Sequence, residues 1–459
     1  MIRHEEIKDL VVEWGIREDV IEKDYAIGWL LWGIASETAL EGKWVFKGGT
    51  CLKKCFLETY RFSEDLDFTL LPEAPIKPDD LEPIMRTVLS RVSQESGIDF
   101  TVSPARFRER EGGLSTEGRV YYRGPRGAPM AASIKLDLSG TEKLVLSAVK
   151  RPIAHPFSDS FPTPDEATCY SIKELFAEKI RALGERCRPR DLYDVVNLYR
   201  RDDFQVDPKV VRSVLQDKCK FKGIPVPTFR LIETSDAREE LFSEWENMLG
   251  HQLQHLPPIG SFLEELHHVF QWIELAMPRE VLPTVAAQVE EDASWSPPPT
   301  VHAWGVRIPL ESIRFAAVNR LCVELGYRGR TRTIEPYSLR RTHAGDLILY
   351  ALRADNRELR CYRVDLIESV SVTSIPYKPA FAVEFSSTAD ISAPPMRTSS
   401  GSRVGSSWRR SGTVYVVQCS YCGRRFKRKT QNTALRPHKD KNGWPCSGRR
   451  GYIVETKCG

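Results

Sequence analysis

Between residues 16 and 35, Val20, Ile21, Tyr25, Ala26, Trp29 and Leu30 recur at helical intervals, which predicts a helix with an apolar face. The period then shortens. Trp44-Val45-Phe46 is a brief apolar run ended by Lys47-Gly48-Gly49-Thr50, a strand entering a glycine turn. Residues 64–70, EDLDFTL, and 131–140, AASIKLDLSG, alternate and predict two further strands. Positions two apart on a strand share a side, so Asp65 and Asp67 lie together while Leu66 and Phe68 take the other face. By the same rule Asp137 stands opposite Leu136 and Leu138.

Residues 171–199 predict two helices joined at Arg188-Pro189. The first carries a stripe of Ile172, Leu175, Ile180 and Leu183 and a capping box formed by Ser171 and Glu174. Asp191 falls at the start of the second, where a capping role is the ordinary expectation. Farther on, strands at 332–341, 346–353 and 358–364, separated by turns at 343–346 and 354–356, suggest a small β-barrel. Proline-rich residues 292–304 and the Ser/Gly/Pro-rich residues 387–412 read as linkers. Three blocks result: 1–290, 300–388 and 412–459.

At 459 residues the chain has room for roughly three domains of ordinary size. A composition of 41% hydrophobic and 28% charged residues is that of a soluble globular protein. The apolar run Tyr25–Ala35 is far short of the roughly 20 residues a bilayer requires, and nothing upstream resembles a signal peptide. A cytoplasmic protein without membrane contact is expected. Net charge is only +4, but residues 401–459 hold 14 Lys or Arg against Asp440 and Glu455, a balance of +12 (14 less 2), which leaves −8 for residues 1–400 (4 less 12). A tail so charged points to phosphate, and nucleic acid is the commonest source.

Two carboxylates as close as Asp65 and Asp67 repel unless a cation lies between them. Mg2+ is the usual partner, being held by one or two carboxylates plus substrate phosphates. Gly48 and Gly49 let the backbone approach a ligand, and the helix start behind them offers N–H groups to phosphate. Asp137, costly in an apolar strand, is a third ligand or the polar face of an edge strand. Near the C-terminus, Cys419-x2-Cys422-x15-His438-x7-Cys446 has the ligand count of a structural Zn2+ site, with Phe426 and Trp444 beside it to stack on bases.

The segments VIEKDYAIGWLL, FKGGTCLKK, RFSEDLDF, IKLDLS and ELFAEKIRAL…RPRDLYDV, in this order over about 180 residues, resemble the AbiEii/AbiGii toxin nucleotidyltransferases of abortive-infection and type IV toxin–antitoxin systems. The resemblance implies a polymerase-beta-like α/β fold with a helical extension and nucleotide transfer from an NTP to an acceptor, tRNA or another RNA. It also implies a cognate antitoxin. It places Gly49, Thr50, Ser63, Asp65 and Asp67 on the family's Gly-Ser and DxD elements, Lys179 on its motif lysine and Asp191 on its later aspartate. Gly48 and Lys53 join the nucleotide-binding set, and Asp137 joins the catalytic one. Thr50 stands where serine is more usual, and a hydroxyl remains.

On this reading Asp65 and Asp67 hold the catalytic Mg2+ and Lys179 steadies the triphosphate. The middle block resembles a WYL domain, Leu349-Tyr350-Ala351-Leu352 standing where the Trp-Tyr-Leu strand would be. Tyr337, Arg340, Arg341, Arg353, Arg360 and Arg363 there suggest a face for nucleic acid or a nucleotide, or merely a solvated one. The competing function is a nucleic-acid-binding regulator whose first block binds nucleotide without turning it over.

Overall fold

The first helical pattern forms α2 (Glu18–Ala35), preceded by α1 (His4–Trp14), and the shorter period forms β1 (Trp44–Lys47), running straight into α3 (Gly48–Cys55). The computed structural model describes residues 1–57, 61–277, 279–294, 310–385, 413–419, 422–428, 432–439, 445–446 and 451–458. After α3 come β2 (Asp65–Leu70), α4 (Pro78–Ser96), β3 (Arg106–Glu109), β4 (Ser115–Tyr122), β5 (Ala132–Ser139), β6 (Val149–Pro152) and β7 (Glu166–Cys169). These seven strands make one mixed sheet in the order β3-β4-β5-β2-β1-β7-β6. Asp137 therefore sits on an interior strand, between β4 and β2, and the edge-strand alternative does not hold.

Two pairings set the site. β2 runs antiparallel to β1, opposing Asp67 to Lys47, and parallel to β5, opposing Asp67 to Asp137. The other faces of these strands are core: Phe46, Leu66, Phe68, Leu136 and Leu138 are buried. α3 is fixed to α2 by a fully buried ion pair, Lys54 Nζ to Asp24 Oδ2 at 2.7 Å.

A helical layer follows: α5 (Ile172–Arg186), α6 (Pro189–Tyr199), α7 (Pro208–Lys222), the short α8 (Phe229–Glu233), α9 (Arg238–Ser243) and α10 (Trp245–Leu249), and α11 (Ile259–Leu275). Ser171 caps α5, its Oγ accepting from Glu174 N–H at 3.4 Å, but the reciprocal half of the capping box is absent. Glu174 is instead buried, accepts the N–H groups of Val145 and Leu146 at 2.8 Å each, and pairs with Lys218 at 3.0 Å. Interior demand outweighs the local cap. Arg188, not Asp191, is the N-cap of α6.

α12 (Leu310–Val318) leads into β8 (Leu321–Tyr327), β9 (Arg330–Arg341), β10 (Leu347–Arg353), β11 (Leu359–Arg363) and β12 (Ile367–Pro376), an antiparallel sheet ordered β11-β10-β9-β8-β12. Tyr193 of α6 donates to Asn319 Oδ1 at 2.9 Å, and Arg200 and Arg320 share Glu265, so this sheet docks on the helical layer. Of the two expected linkers, 387–412 lies outside the described residues, as does 292–304 beyond its start, where Asp292 pairs with Arg341 at 2.5 Å.

Two compact units result: Met1–Leu325 with Thr331–Ala393, and Gly326–Arg330 with Pro394–Gly459. The second contains β13 (Thr413–Cys419), β14 (Arg425–Arg428), the two-residue β15 (His438–Lys439) and β16 (Pro445–Cys446), and β17 (Gly451–Cys458). None of the described helices is long and apolar enough to cross a membrane.

Candidate active site

Gly48 opens α3 with φ +84°, and a Cβ there would come within 2.2 Å of Asp67 Oδ2. Only glycine combines that left-handed backbone with that approach. Gly49 is equally tight, since its Cβ would meet the Arg61 guanidinium at 2.5 Å. Thr50 locks the turn to β2, its Oγ1 bonding to Ser63 Oγ at 2.8 Å and to the Asp65 carbonyl. Lys53, one turn on, is buried with its ammonium 4.0 Å from the centre of the Phe62 ring.

Asp65 and Asp67 face the same side, as the alternation predicts. Burial pushes the Asp67 carboxyl up to about 6; Asp137 and Asp65 push the same way, against the pull of Lys47 and Lys179. Burial also raises Asp65, opposed by Lys23, Lys135 and Arg190. Ionised carboxylates in such a place call for a cation. Asp137 faces Asp67 across the ladder, yet its carboxylate pairs with Arg110 at 2.8 Å. Among the described residues, Asp65, Asp67 and Asp137 do not form a group with all ligand oxygens within 4.8 Å of one another.

Lys179 and Asp191 come together, but around a residue the sequence pattern did not single out. Lys179 Nζ lies 2.7 Å from Asp194 Oδ2 and 3.5 Å from Asp191 Oδ1. Asp194 in turn receives both arms of Arg61, at 2.7 and 2.8 Å, and Arg61 also donates to Gln252 at 3.0 Å. The two cations hold the Asp194 carboxyl far below the usual carboxylate range despite complete burial. Asp191 is fully buried and receives Arg186 at 2.7 and 2.9 Å, so it acts as an anchor rather than a cap. Arg61 and Asp194 were visible inside RFSEDLDF and RPRDLYDV; the missing signal was their pairing, which spans 133 residues.

This network carries a stability prediction. Asp194→Ala leaves the buried Arg61 and Lys179 without their shared counter-ion, and breaking a buried pair costs about 3–5 kcal/mol. Denaturant unfolding should show a loss of that size, and one under about 1 kcal/mol would mean that the network is dispensable.

The arginines expected on a face of the middle sheet are ion-paired. Arg340 pairs with Glu291 and Glu384, Arg341 with Asp292, Arg353 with Asp355, Arg360 with Glu358, and Arg363 with Asp346 and Asp365. Tyr337 is not on that face at all. A register shift of β9 against β10 places it in the core with Tyr350 and Tyr377.

In the second unit, Cys419, Cys422, His438 and Cys446 converge, their ligand atoms all within 4.8 Å of one another. Cys419 and Cys446 sulfurs are 3.9 Å apart, near the roughly 3.8 Å that tetrahedral geometry gives for metal–sulfur bonds of about 2.3 Å. His438 Nδ1 lies 2.9 Å from the Arg436 carbonyl; donation there leaves Nε2, 3.4 Å from Cys422 Sγ, to face the cluster. The donor set fits zinc. Phe426 packs against His438 and the small core around Val417 and Leu435, so it is a structural ring rather than an open stacking platform. Trp444 lies outside the described residues.

The family model for nucleotidyl transferase AbiEii toxin, type IV TA system, matches residues 29–274, just over half of the chain. A WYL domain model matches residues 309–372. A search of curated proteins finds no match. Among solved structures, MenT4, a nucleotidyltransferase toxin from Mycobacterium tuberculosis H37Rv, is similar at 21% identity and TM-score 0.42, over 60% of this chain and 90% of that one. Proteasome accessory factor B/C of Arthrobacter aurescens is similar at 14% identity and TM-score 0.14, over 62% of this chain and 41% of that one. With the family model covering the glycine turn, both aspartates, Lys179 and Asp191, the chain belongs to the AbiEii nucleotidyltransferase toxin family and carries a WYL domain behind its nucleotidyltransferase domain.

Proposed function

We propose that this nucleotidyltransferase moves a nucleotide from an NTP to an RNA acceptor, tRNA foremost, with Mg2+, and acts as a toxin or phage-defence effector restrained by a cognate antitoxin. The observation that carries the reading is the meeting of Gly48 and Asp67, where a phosphate-cradling turn touches a buried carboxylate that stands beside a second one. Mg2+ held by Asp65 and Asp67 would supply charge to the leaving pyrophosphate and lower the pKa of the acceptor hydroxyl. The backbone N–H groups opening α3 would receive the phosphates, and Thr50 and Ser63 hold that turn in place. An ammonium has three donors; Asp194 and Asp191 orient Lys179 and leave one for the triphosphate. Incubating the protein with each labelled NTP, Mg2+ and total bacterial RNA tests the donor and the acceptor together. Label should enter a small RNA from one NTP, and labelled RNA from none would remove the reading.

We further propose that Zn2+ held by Cys419, Cys422, His438 and Cys446 staples the C-terminal module, and that its basic chain contacts RNA phosphates. The ion-paired arginines of the middle sheet leave the +12 tail as the better electrostatic footprint. Truncation before Gly412 should weaken RNA binding and flatten its log–log salt dependence, by about 0.7 to 0.9 for each phosphate that the tail neutralises. Equal affinity and equal slope for both chains would place recognition elsewhere.

A further inference from the structure

We propose that Cys51, Cys55 and Cys169 form a second metal site, a buried trithiolate cage for a soft cation, with Cu+ as the ion whose coordination three sulfurs complete. Cys51 and Cys55 lie one turn apart on α3 and so share a face. Cys169 ends β7, where it stands opposite Phe46 of β1. The three sulfurs lie within 4.8 Å of one another, the standard the C-terminal Cys/His cluster meets. At most 5% of any of these residues is exposed. Cys187, Cys219 and Cys322 are also buried, but each stands outside any such group among the described residues.

Among the described residues, three donors and no fourth decide the ion. Structural zinc wants four ligands, whereas Cu+ is satisfied by soft thiolates in lower number. A trigonal site with metal–sulfur bonds of about 2.3 Å needs sulfurs about 4 Å apart, which falls inside the 4.8 Å that bounds their separations here. Charge is partly offset where the sulfurs sit. Arg151 Nε donates to the Cys55 carbonyl at 3.3 Å, which brings one guanidinium beside the cluster. Binding releases the thiol protons. The consequence is structural, because the same helix opens with Gly48-Gly49-Thr50, and an ion tying α3 to β7 would fix the base of the nucleotide turn.

The test uses the full-length, zinc-loaded, reduced chain, titrated anaerobically with Cu+ against a coloured Cu+ indicator while zinc release is followed. One equivalent of Cu+ should bind before any zinc leaves, and copper-edge X-ray absorption should show three sulfur neighbours and no nitrogen. Cys55→Ala should lose that equivalent, and Cys187→Ala should keep it. Zinc released from the first addition, or a nitrogen neighbour, would put the copper at His438 and overturn the proposal. So would unchanged uptake by Cys55→Ala; should that variant not fold, the spectrum of the unsubstituted protein decides alone.

Discussion

Asp67→Asn should abolish nucleotide transfer, lowering the rate at least about a thousandfold, while the protein stays folded. The magnitude follows from the few kcal/mol of charge stabilisation that a bound divalent cation supplies, at 1.36 kcal/mol for each tenfold. The fold survives because the amide has the carboxylate's shape. It also removes a charge that burial, Asp137 and Asp65 all disfavour, which is why the Asp67 carboxyl is pushed up to about 6. The unfolding midpoint at neutral pH should therefore stay level or rise. The sign follows from linkage: a carboxyl raised on folding costs stability as pH climbs from its unfolded value through 6, and the amide has no such cost. Asp65→Asn should act in the same direction. Label transfer and denaturant melts on the two variants check both halves, and a variant with unsubstituted activity removes the metal assignment.

Zinc removal is the second large effect, and it should be confined to the C-terminal unit. The described buried set there is small, Tyr415, Val416, Val417, Leu435 and the candidate ligands Cys419 and Cys446, with Phe426 packed against part of it. Structural zinc contributes about 10–16 kcal/mol in finger peptides, more than so few apolar side chains supply. Chelation, or Cys422→Ser with His438→Ala, should make the segment after residue 412 protease-sensitive and leave the melting of the larger unit in place, since that unit has its own core. Metal analysis should give one zinc per chain in the unsubstituted protein and none in the double variant. A chain without zinc, or a variant that keeps it, contradicts the assignment.

The parts of the site that lie close in sequence were legible. Trp44–Thr50 reads as strand and turn because its apolar run stops at two glycines, and Asp65-Leu66-Asp67 declares its facing by period two alone. What depends on distant pairing was hidden. Nothing in RFSEDLDF announces that Arg61 grips Asp194, and Lys179 is seen to belong with Asp194 only once α5 and α6 are packed. Glu174 shows the opposite error, a local capping signal overridden by Lys218 and two interior N–H groups. Tyr337 misled because β9 is buried at six consecutive positions and slips by one residue against β10, so alternation no longer reports the face. Arg340 and Arg341 looked cationic because Glu291, Glu384 and Asp292 lie 44 to 49 residues away, whereas the carboxylates beside Arg353, Arg360 and Arg363 stand only two residues off and could have been read.

The most direct test of nucleotidyl transfer is which phosphorus moves. The protein is incubated with Mg2+, RNA and the NTP it prefers, labelled in one reaction on the α-phosphorus and in a parallel one on the γ-phosphorus. Attack on the α-phosphorus, with pyrophosphate leaving from the turn at Gly48–Thr50, predicts that RNA takes up the α-label, that the γ-label appears in pyrophosphate, and that Asp67→Asn does neither. Uptake of the γ-label, or hydrolysis of the NTP with no label in RNA, would contradict the account.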